Sequence, residues 1–339
     1  MNKLYFIINN CKNHKTIVED GGGASELLFF ITAMKLADHF STTIINSNNY
    51  SSKIDNVQYM YLPNNLELDI NNSVIVVQRH FSILIDLHIK YPSNRYILWS
   101  HDFLENKFTH LSGNYTSEFI DNYFAMNNII TIAVSNFHKQ NILLKMPNIK
   151  IYVIYNALFP ELYPKNDNTV INNYIVFASN WAKGIDRVID IGKEYYKKNT
   201  HFKLLLLKPS YCMYEPDLSA YPFIEIIGNI KNKEEYCMIL QKSICVLTTS
   251  YPETFGCVFA EALHLGVPVI GDNSIMAGFH EIINKDYICN FKQIDKVIDI
   301  IERIITTKPT VMLDSKFYGN NIILEWIKMI EYIMNYGMR

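Results

Sequence analysis

Residues 244–271 read as one unit: an apolar, β-branched strand at 244–249, a polar loop, a helix over 257–265 and a short strand at 267–270. Gly266 stops the helix, and Pro268 just beyond it cannot continue one. Strand, tight loop, helix, strand is the building block of a parallel sheet, in which the loop after each strand opens at the carboxyl edge, where ligands bind. A chain built on this unit is therefore expected to carry its chemistry in such loops.

The loop fits an anion. Thr254, Phe255 and Gly256 lie where the helix begins, so their backbone N–H groups have no partner inside it. Gly256 lets the backbone approach closely. Glu253 on the loop and Glu261 on the helix would repel a phosphate, and are expected instead to accept hydrogen bonds from sugar or ribose hydroxyls. A capping loop with two solvated glutamates is the alternative.

The length, 339 residues, suggests two domains, and 49% hydrophobic content supports a substantial core. A net charge of -2 gives no strong pull towards nucleic acid or an anionic membrane. There is no apolar run long enough to span a membrane, and residues 4–8 are too short for a signal peptide. The six cysteines are scattered without a Cys-x-x-Cys pair and read as reduced core residues of a cytoplasmic protein.

Along the chain, strand 4–8 leads through a polar loop to Gly21-Gly22-Gly23 and a helix over 26–39, a nucleotide-type βα unit. The spacing is not Gly-x-Gly-x-x-Gly, so a dinucleotide fingerprint is unsupported. Strands recur at 42–46, 57–62, 74–78, 96–99, 129–134 and 151–155, with helices at 81–89 and 118–126 among them. That alternation argues for a parallel, doubly wound sheet.

Two strand ends carry polar groups to the carboxyl edge: Gln78-Arg79-His80 and Trp99-Ser100-His101-Asp102. His101 can donate or accept a hydrogen bond near neutral pH. Arg79 either clamps an acceptor anion or forms a surface ion pair. Ser135 caps a helix.

In the second half, a strand at 174–178 precedes Ser179-Asn180-Trp181-Ala182-Lys183-Gly184. Lysine at a helix start opposes the dipole, so a purely structural Lys183 would be poorly placed. Strands at 203–207 and 223–227, helices at 233–241 and 294–305 and an aromatic-rich helix at 317–336 complete the chain.

Glu253 and Glu261, seven residues apart within Pro-Glu-Thr-Phe-Gly, Glu-Ala and Gly-Val-Pro-Val-Ile, resemble the signature of glycosyltransferase family 4, the retaining sugar-nucleotide transferases of GT-B fold. The resemblance is specific over 174–281 and loose before it. It implies an α/β protein of two doubly wound, Rossmann-like domains facing a central cleft. The acceptor-side domain would be 1–158, the linker 159–173 and the nucleotide-sugar domain 174–315, with the helix of 316–339 crossing back to the first domain.

The resemblance also assigns roles. Lys183 with the N–H groups around Phe255 and Gly256 would hold a diphosphate, Glu261 the ribose, Glu253 the sugar, and Gly228 would meet the base. From the first domain His101, Asp102 and the Gly21–Gly23 loop would face the sugar. The family's second cation is missing, with uncharged Asn180 in its place, and Ala157 replaces a glycine at the domain crossing. Gly278 and Glu281 stand loosely for a Gly-Gly…Glu loop.

No cofactor is implied, only a UDP- or GDP-linked sugar as co-substrate, with a saccharide, lipid or protein as acceptor. Without an Asp-x-Asp triplet no metal is expected. No nucleic-acid partner or transmembrane segment is expected, and peripheral membrane contact is left open. A GT-B sugar-nucleotide hydrolase or epimerase and a non-catalytic sugar-nucleotide-binding protein are the rival readings.

Overall fold

Apolar runs without alternation belong to strands covered on both faces, and both halves of the chain are built around such strands. The computed structural model describes residues 3–9, 24–47, 52–63, 65–104, 110–166, 171–209, 212–214, 216–228, 230, 232–249 and 251–336. The chain divides into two units. The first is Met1–Ala157 with Gly319–Arg339 and the second is Leu158–Tyr318.

Unit 1 holds strands β1 (Lys3–Ile8), β2 (Ser41–Asn46), β3 (Ser52–Ile54), β4 (Val57–Tyr61), β5 (Val74–Gln78), β6 (Arg95–Trp99), β7 (Ile130–Ala133) and β8 (Lys150–Val153). They form one eight-stranded sheet in the order β3-β4-β2-β1-β5-β6-β7-β8, parallel throughout except for the β3–β4 hairpin. β1 and β5 lie side by side at the centre, and all of Val74–Gln78 is buried. The chain winds outward from β1 through β2 and β4, then returns to β5 and winds the other way. The sheet's topological switch therefore lies between β1 and β5.

Helices α1 (Ala24–Leu36), α2 (Phe81–Lys90), α3 (Ser117–Met126) and α4 (Asn136–Lys145) cover this sheet. Two begin on hydroxyl caps: Thr116 accepts from Phe119 N at 3.2 Å, and Ser135 from His138 N at 2.9 Å. The C-terminal helix, Gly319–Tyr336, belongs to unit 1. Its Trp326 is fully buried, with ring centroids 4.9 Å from Trp99 and 6.4 Å from Phe6. Phe29 of α1 completes the cluster, 5.3 Å from Phe6.

Unit 2 holds β9 (Tyr174–Phe177), β10 (Lys203–Leu207), β11 (Ile224–Ile227), β12 (Val246–Thr248), β13 (Val269–Asp272) and β14 (Ile288–Cys289). The sheet is wholly parallel, in the order β11-β10-β9-β12-β13-β14, so its switch lies between β9 and β12. The helices are α5 (Ile185–Lys198), α6 (Lys233–Gln241), α7 (Cys257–His264) and α8 (Ile294–Thr307). Val297, Ile298, Ile301 and Ile304 form the buried stripe of α8. Gly192 lets α5 lie close to the sheet, since a Cβ there would sit 2.7 Å from the Phe223 ring.

The expected linker at 159–173 is not a free tether at its start. Leu158 N donates to Phe317 O at 2.8 Å, Pro160–Leu162 forms a 3-10 turn, and Tyr163 is buried within unit 2. Residues 167–170 lie outside the described residues.

Trp326→Ala should remove the centre of the aromatic cluster and cost about 3–5 kcal/mol. Urea denaturation followed by circular dichroism should show an early transition at lower midpoint. An unchanged midpoint would show that the helix contributes nothing to unit 1.

Candidate functional site

The carboxyl edge at the β9/β12 switch gathers three loops. The first, after β9, turns on Asn180, whose Oδ1 accepts from Ala182 N at 3.0 Å and caps the 3-10 turn Trp181–Lys183. Gly184 follows in left-handed conformation at φ +104°, and a Cβ there would lie 2.5 Å from Thr249 Oγ1. That close approach joins the first loop to the second: Thr249 Oγ1 donates to Gly184 O at 2.7 Å.

The second loop, after β12, brings the Glu253 carboxylate to Lys183, whose Nζ donates to Oε2 at 3.0 Å. Both side chains are partly exposed, 34% for Lys183 and 19% for Glu253, so the pair is open to a ligand. Phe255 N reaches Glu253 Oε1 at 3.4 Å. Gly256, at φ +102°, starts α7 with no side-chain cap, so the first N–H groups of the helix face the loop. The third loop, after β13, packs on the second: Gly278 N donates to Glu253 O at 2.9 Å, and a Cβ on Gly278 would fall 2.0 Å from Thr254 O. Only glycine fits there, which gives the loosely matched Gly278 a physical reason.

Lys183, Glu253, Thr254, Phe255, Gly256 and Gly278 thus come together at one sheet edge. Asn180 is in the same loop but spends its oxygen on the turn. Glu281 ends the 3-10 turn Gly278–Glu281. Gly228 is exposed at the end of β11 with open space where a Cβ would be, so nothing local requires glycine there.

Glu261 lies in the middle of α7. It is buried at 6% exposure, and both carboxylate oxygens accept tyrosine hydroxyls, Oε1 from Tyr163 at 2.7 Å and Oε2 from Tyr236 at 2.6 Å. Burial, then the Glu261 charge, pushes both phenols well above their usual pKa. Neither tyrosine could be found from local sequence, since they lie 98 and 25 residues away.

A second charge pair also escapes the sequence. Arg187, on the first turn of α5, donates from Nη1 to the fully buried Asp272 Oδ2 at 2.5 Å. Asp272 Oδ1 takes the amides of Ser274 and Phe291 at 2.9 and 3.1 Å. Burial raises the Asp272 pKa, but the hydrogen bonds from Ser274, Phe291 and Arg187 outweigh it and leave it lowered. Arg187 is thus committed to Asp272 and does not replace the missing loop arginine.

In unit 1 the β5 and β6 ends also meet. Arg79, left-handed at φ +67°, pairs through Nε with Asp102 Oδ2 at 2.7 Å and through Nη1 with Glu26 Oε1 at 2.9 Å. Arg79 is thus drawn partly inside by two carboxylates. His101 is buried against Trp99, ring centroids 4.8 Å apart. Burial, then the Arg79 charge, holds its pKa down at about 3, so its imidazole is neutral. His138 accepts from Val134 N on Nδ1 at 3.3 Å, which leaves Nε2 to donate to Asp102 O at 3.0 Å. The Gly21–Gly23 loop lies outside the described residues.

Residues 222–316 match the family model of glycosyl transferases group 1. That segment contains Glu253, Phe255, Gly256, Glu261 and Gly278. No curated protein matches the sequence. Among solved structures, the chain is similar to sucrose-phosphate synthase from Thermosynechococcus elongatus, at 12% identity and TM-score 0.73 over 99% of this chain and 100% of that one. It is similar to Anabaena HepE, solved with UDP-glucose, at 15% identity and TM-score 0.67 over 97% and 99%. The pneumococcal O-GlcNAc transferase GtfA, solved with UDP and GlcNAc, matches at 17% identity and TM-score 0.61 over 79% of this chain and 58% of its own. At these identities the likeness is one of fold, and the fold is GT-B. The family match covers residues 222–316, within unit 2.

Two buried neutral histidines make unit 1 sensitive to acid. Both groups start from 6.5 when unfolded, and folding lowers them to about 3 for His101 and about 4 for His138. The unfolded chain therefore binds more protons below pH about 6.5, and stability falls as pH drops towards those folded values, by up to about 1.4 kcal/mol per pH unit for each histidine. His101→Gln should remove about half of that combined slope. Urea denaturation at a series of pH values measures it, and an unchanged slope would mean His101 is charged in the fold.

Proposed function

We propose that this protein is a retaining glycosyltransferase that moves a sugar from a UDP- or GDP-linked donor to a saccharide, lipid or protein acceptor. The observation that carries the reading is the Lys183–Glu253 pair at the sheet switch, beside the N-terminus of α7. The matched segment, and fold neighbours solved with UDP or UDP-glucose, support it.

As the sugar leaves the diphosphate, negative charge gathers on the phosphate and positive charge on the sugar. Lys183, with the N–H groups of Phe255, Gly256 and the first turn of α7, answers the first charge. Glu253 answers the second. Their mutual contact keeps the two groups adjacent until the diphosphate takes over the ammonium.

On the acceptor side, His101 offers a neutral imidazole next to Asp102. The reading invokes no metal ion and no cofactor. No helix among the described residues is long and apolar enough to cross a membrane. The described cysteines are free thiols, which supports a reducing, cytoplasmic setting.

Lys183→Ala should weaken UDP or GDP binding by roughly ten- to hundredfold, the scale of a hydrogen bond to a charged group, and leave uridine or guanosine binding unchanged. Calorimetry with each pair of ligands checks this, and equal losses for nucleoside and diphosphate would make Lys183 structural.

Glu253→Gln should split affinity from turnover. Replacing the carboxylate by a neutral amide weakens its hold on Lys183, so nucleoside diphosphate binds more tightly, while kcat falls by roughly 10²–10³. Normal turnover with sugar transfer intact would remove Glu253 from the chemistry.

A further inference from the structure

The two tyrosines on Glu261 come from different parts of unit 2. Tyr236 stands on α6, beside the sheet. Tyr163 belongs to residues 158–166, the stretch that follows directly on unit 1. That stretch is held on α7 a second time, where Tyr163 O meets His264 Nε2 at 3.2 Å. His264 Nδ1 in turn meets the hydroxyl of Tyr318, the last residue of unit 2, at 3.2 Å. Leu158 and Tyr318 are themselves bridged, and Leu158 N donates to Phe317 O. Phe317 packs on Phe255 of the glutamate loop, ring centroids 5.8 Å apart. One short helix therefore carries the loop at its start, Glu261 in its middle and both chain crossings at its end.

The Glu261 carboxylate has no ion-pair partner among the described residues. Lys233 lies over the rings of Tyr163 and Tyr236, at 4.7 and 5.1 Å, and its Nζ is 3.5 Å from the Tyr163 hydroxyl. The buried charge thus depends on hydroxyl donors, and losing one without replacement is costly. A ribose hydroxyl is the same kind of donor as a phenol.

We propose that Tyr163 is a positioning residue that latches the ribose subsite. Its hydroxyl occupies Glu261 in the free protein and yields that oxygen to a ribose hydroxyl when the nucleotide binds. Residues 158–166 loosen in the same step. This rests on the donor reading above, in which Glu261 takes the ribose. Nucleotide binding and release of the first crossing then form one equilibrium, and each biases the other. Tyr236 keeps its hydrogen bond in both states and holds the carboxylate in orientation.

Tyr163→Phe removes the competing hydroxyl but keeps the ring under Lys233. UDP and GDP, each titrated separately by calorimetry, should bind the variant roughly tenfold more tightly than the wild type, because a hydrogen bond to a charged group no longer has to be broken. Tyr236→Phe should bring no such gain. In the wild type, the same nucleotide should speed amide exchange at Leu162 and Tyr163, whose N–H groups close turns onto Phe159 O and Pro160 O, both at 3.0 Å. Unchanged or weaker binding by Tyr163→Phe, with exchange unaltered, would overturn the latch and leave Tyr163 a structural clasp. Should that variant fail to fold, the wild-type exchange decides alone. A wild type that binds neither UDP nor GDP, or a Lys183→Ala variant that binds as well as wild type, sinks the donor reading itself and the latch with it.

Discussion

A parallel sheet covered by helices on both faces can offer a ligand little beyond its carboxyl edge, and this chain contains two such sheets. The constraint decides where chemistry can lie before any side chain is considered. In each unit the central strands are apolar along their middles, and the polar groups fall at the strand ends. The winding reverses beside those ends, so the loops that follow adjacent central strands part and leave space between them. Lys183 and Glu253 follow β9 and β12, and Arg79 follows β5.

The two edges then treat charge in opposite ways. In unit 1 Arg79 lies between Glu26 and Asp102, and the neighbouring histidines are stripped of charge by burial. That edge holds one cation between two carboxylates, with its hydrogen-bonding groups already paired to one another. In unit 2 a single cation and a single carboxylate face each other while still partly exposed. Such a pair is weak in water-accessible surroundings and can be parted by an incoming anion at small cost. Deeper in the same unit Asp272 and Arg187 form a pair whose carboxylate is wholly enclosed, and it secures the third loop rather than waiting for a ligand.

Much of this was legible along the chain, for reasons that can be named. Residues 74–77 and 204–207 are unbroken apolar runs with polar residues around them, and such runs become buried strands in nearly any α/β context. Helix α6 begins where Asn232 accepts from Glu235 N, a capping signal confined to a few residues. β3 and β14, of three and two residues, are too short to show a period. Residues 159–166 have the prolines and polarity of a linker, yet Pro160 opens a 3-10 turn and Tyr163 finds its partner far along the chain. Arg79 and Glu261 show the same limit. Their residue types spoke of anion and hydroxyl binding, but what each side chain touches depends on groups brought up by the fold, which no local pattern records.

The aromatic cluster of Phe6, Trp99 and Trp326 has a consequence for how the molecule comes to exist. It joins the first strand to the last helix, with all of unit 2 made in between. Unit 2 is one continuous stretch of chain and has everything it needs once residue 318 has been synthesised. Unit 1 includes residues on both sides of unit 2, and its sheet lacks the packing of Trp326 on Trp99 and Phe6 until the helix Gly319–Tyr336 is made. For most of synthesis the β1, β5 and β6 region is thus an unfinished surface of bulky apolar side chains. Vectorial assembly, in which the amino-terminal part settles before the rest is made, therefore leaves this surface without Trp326 until residues 319–336 follow.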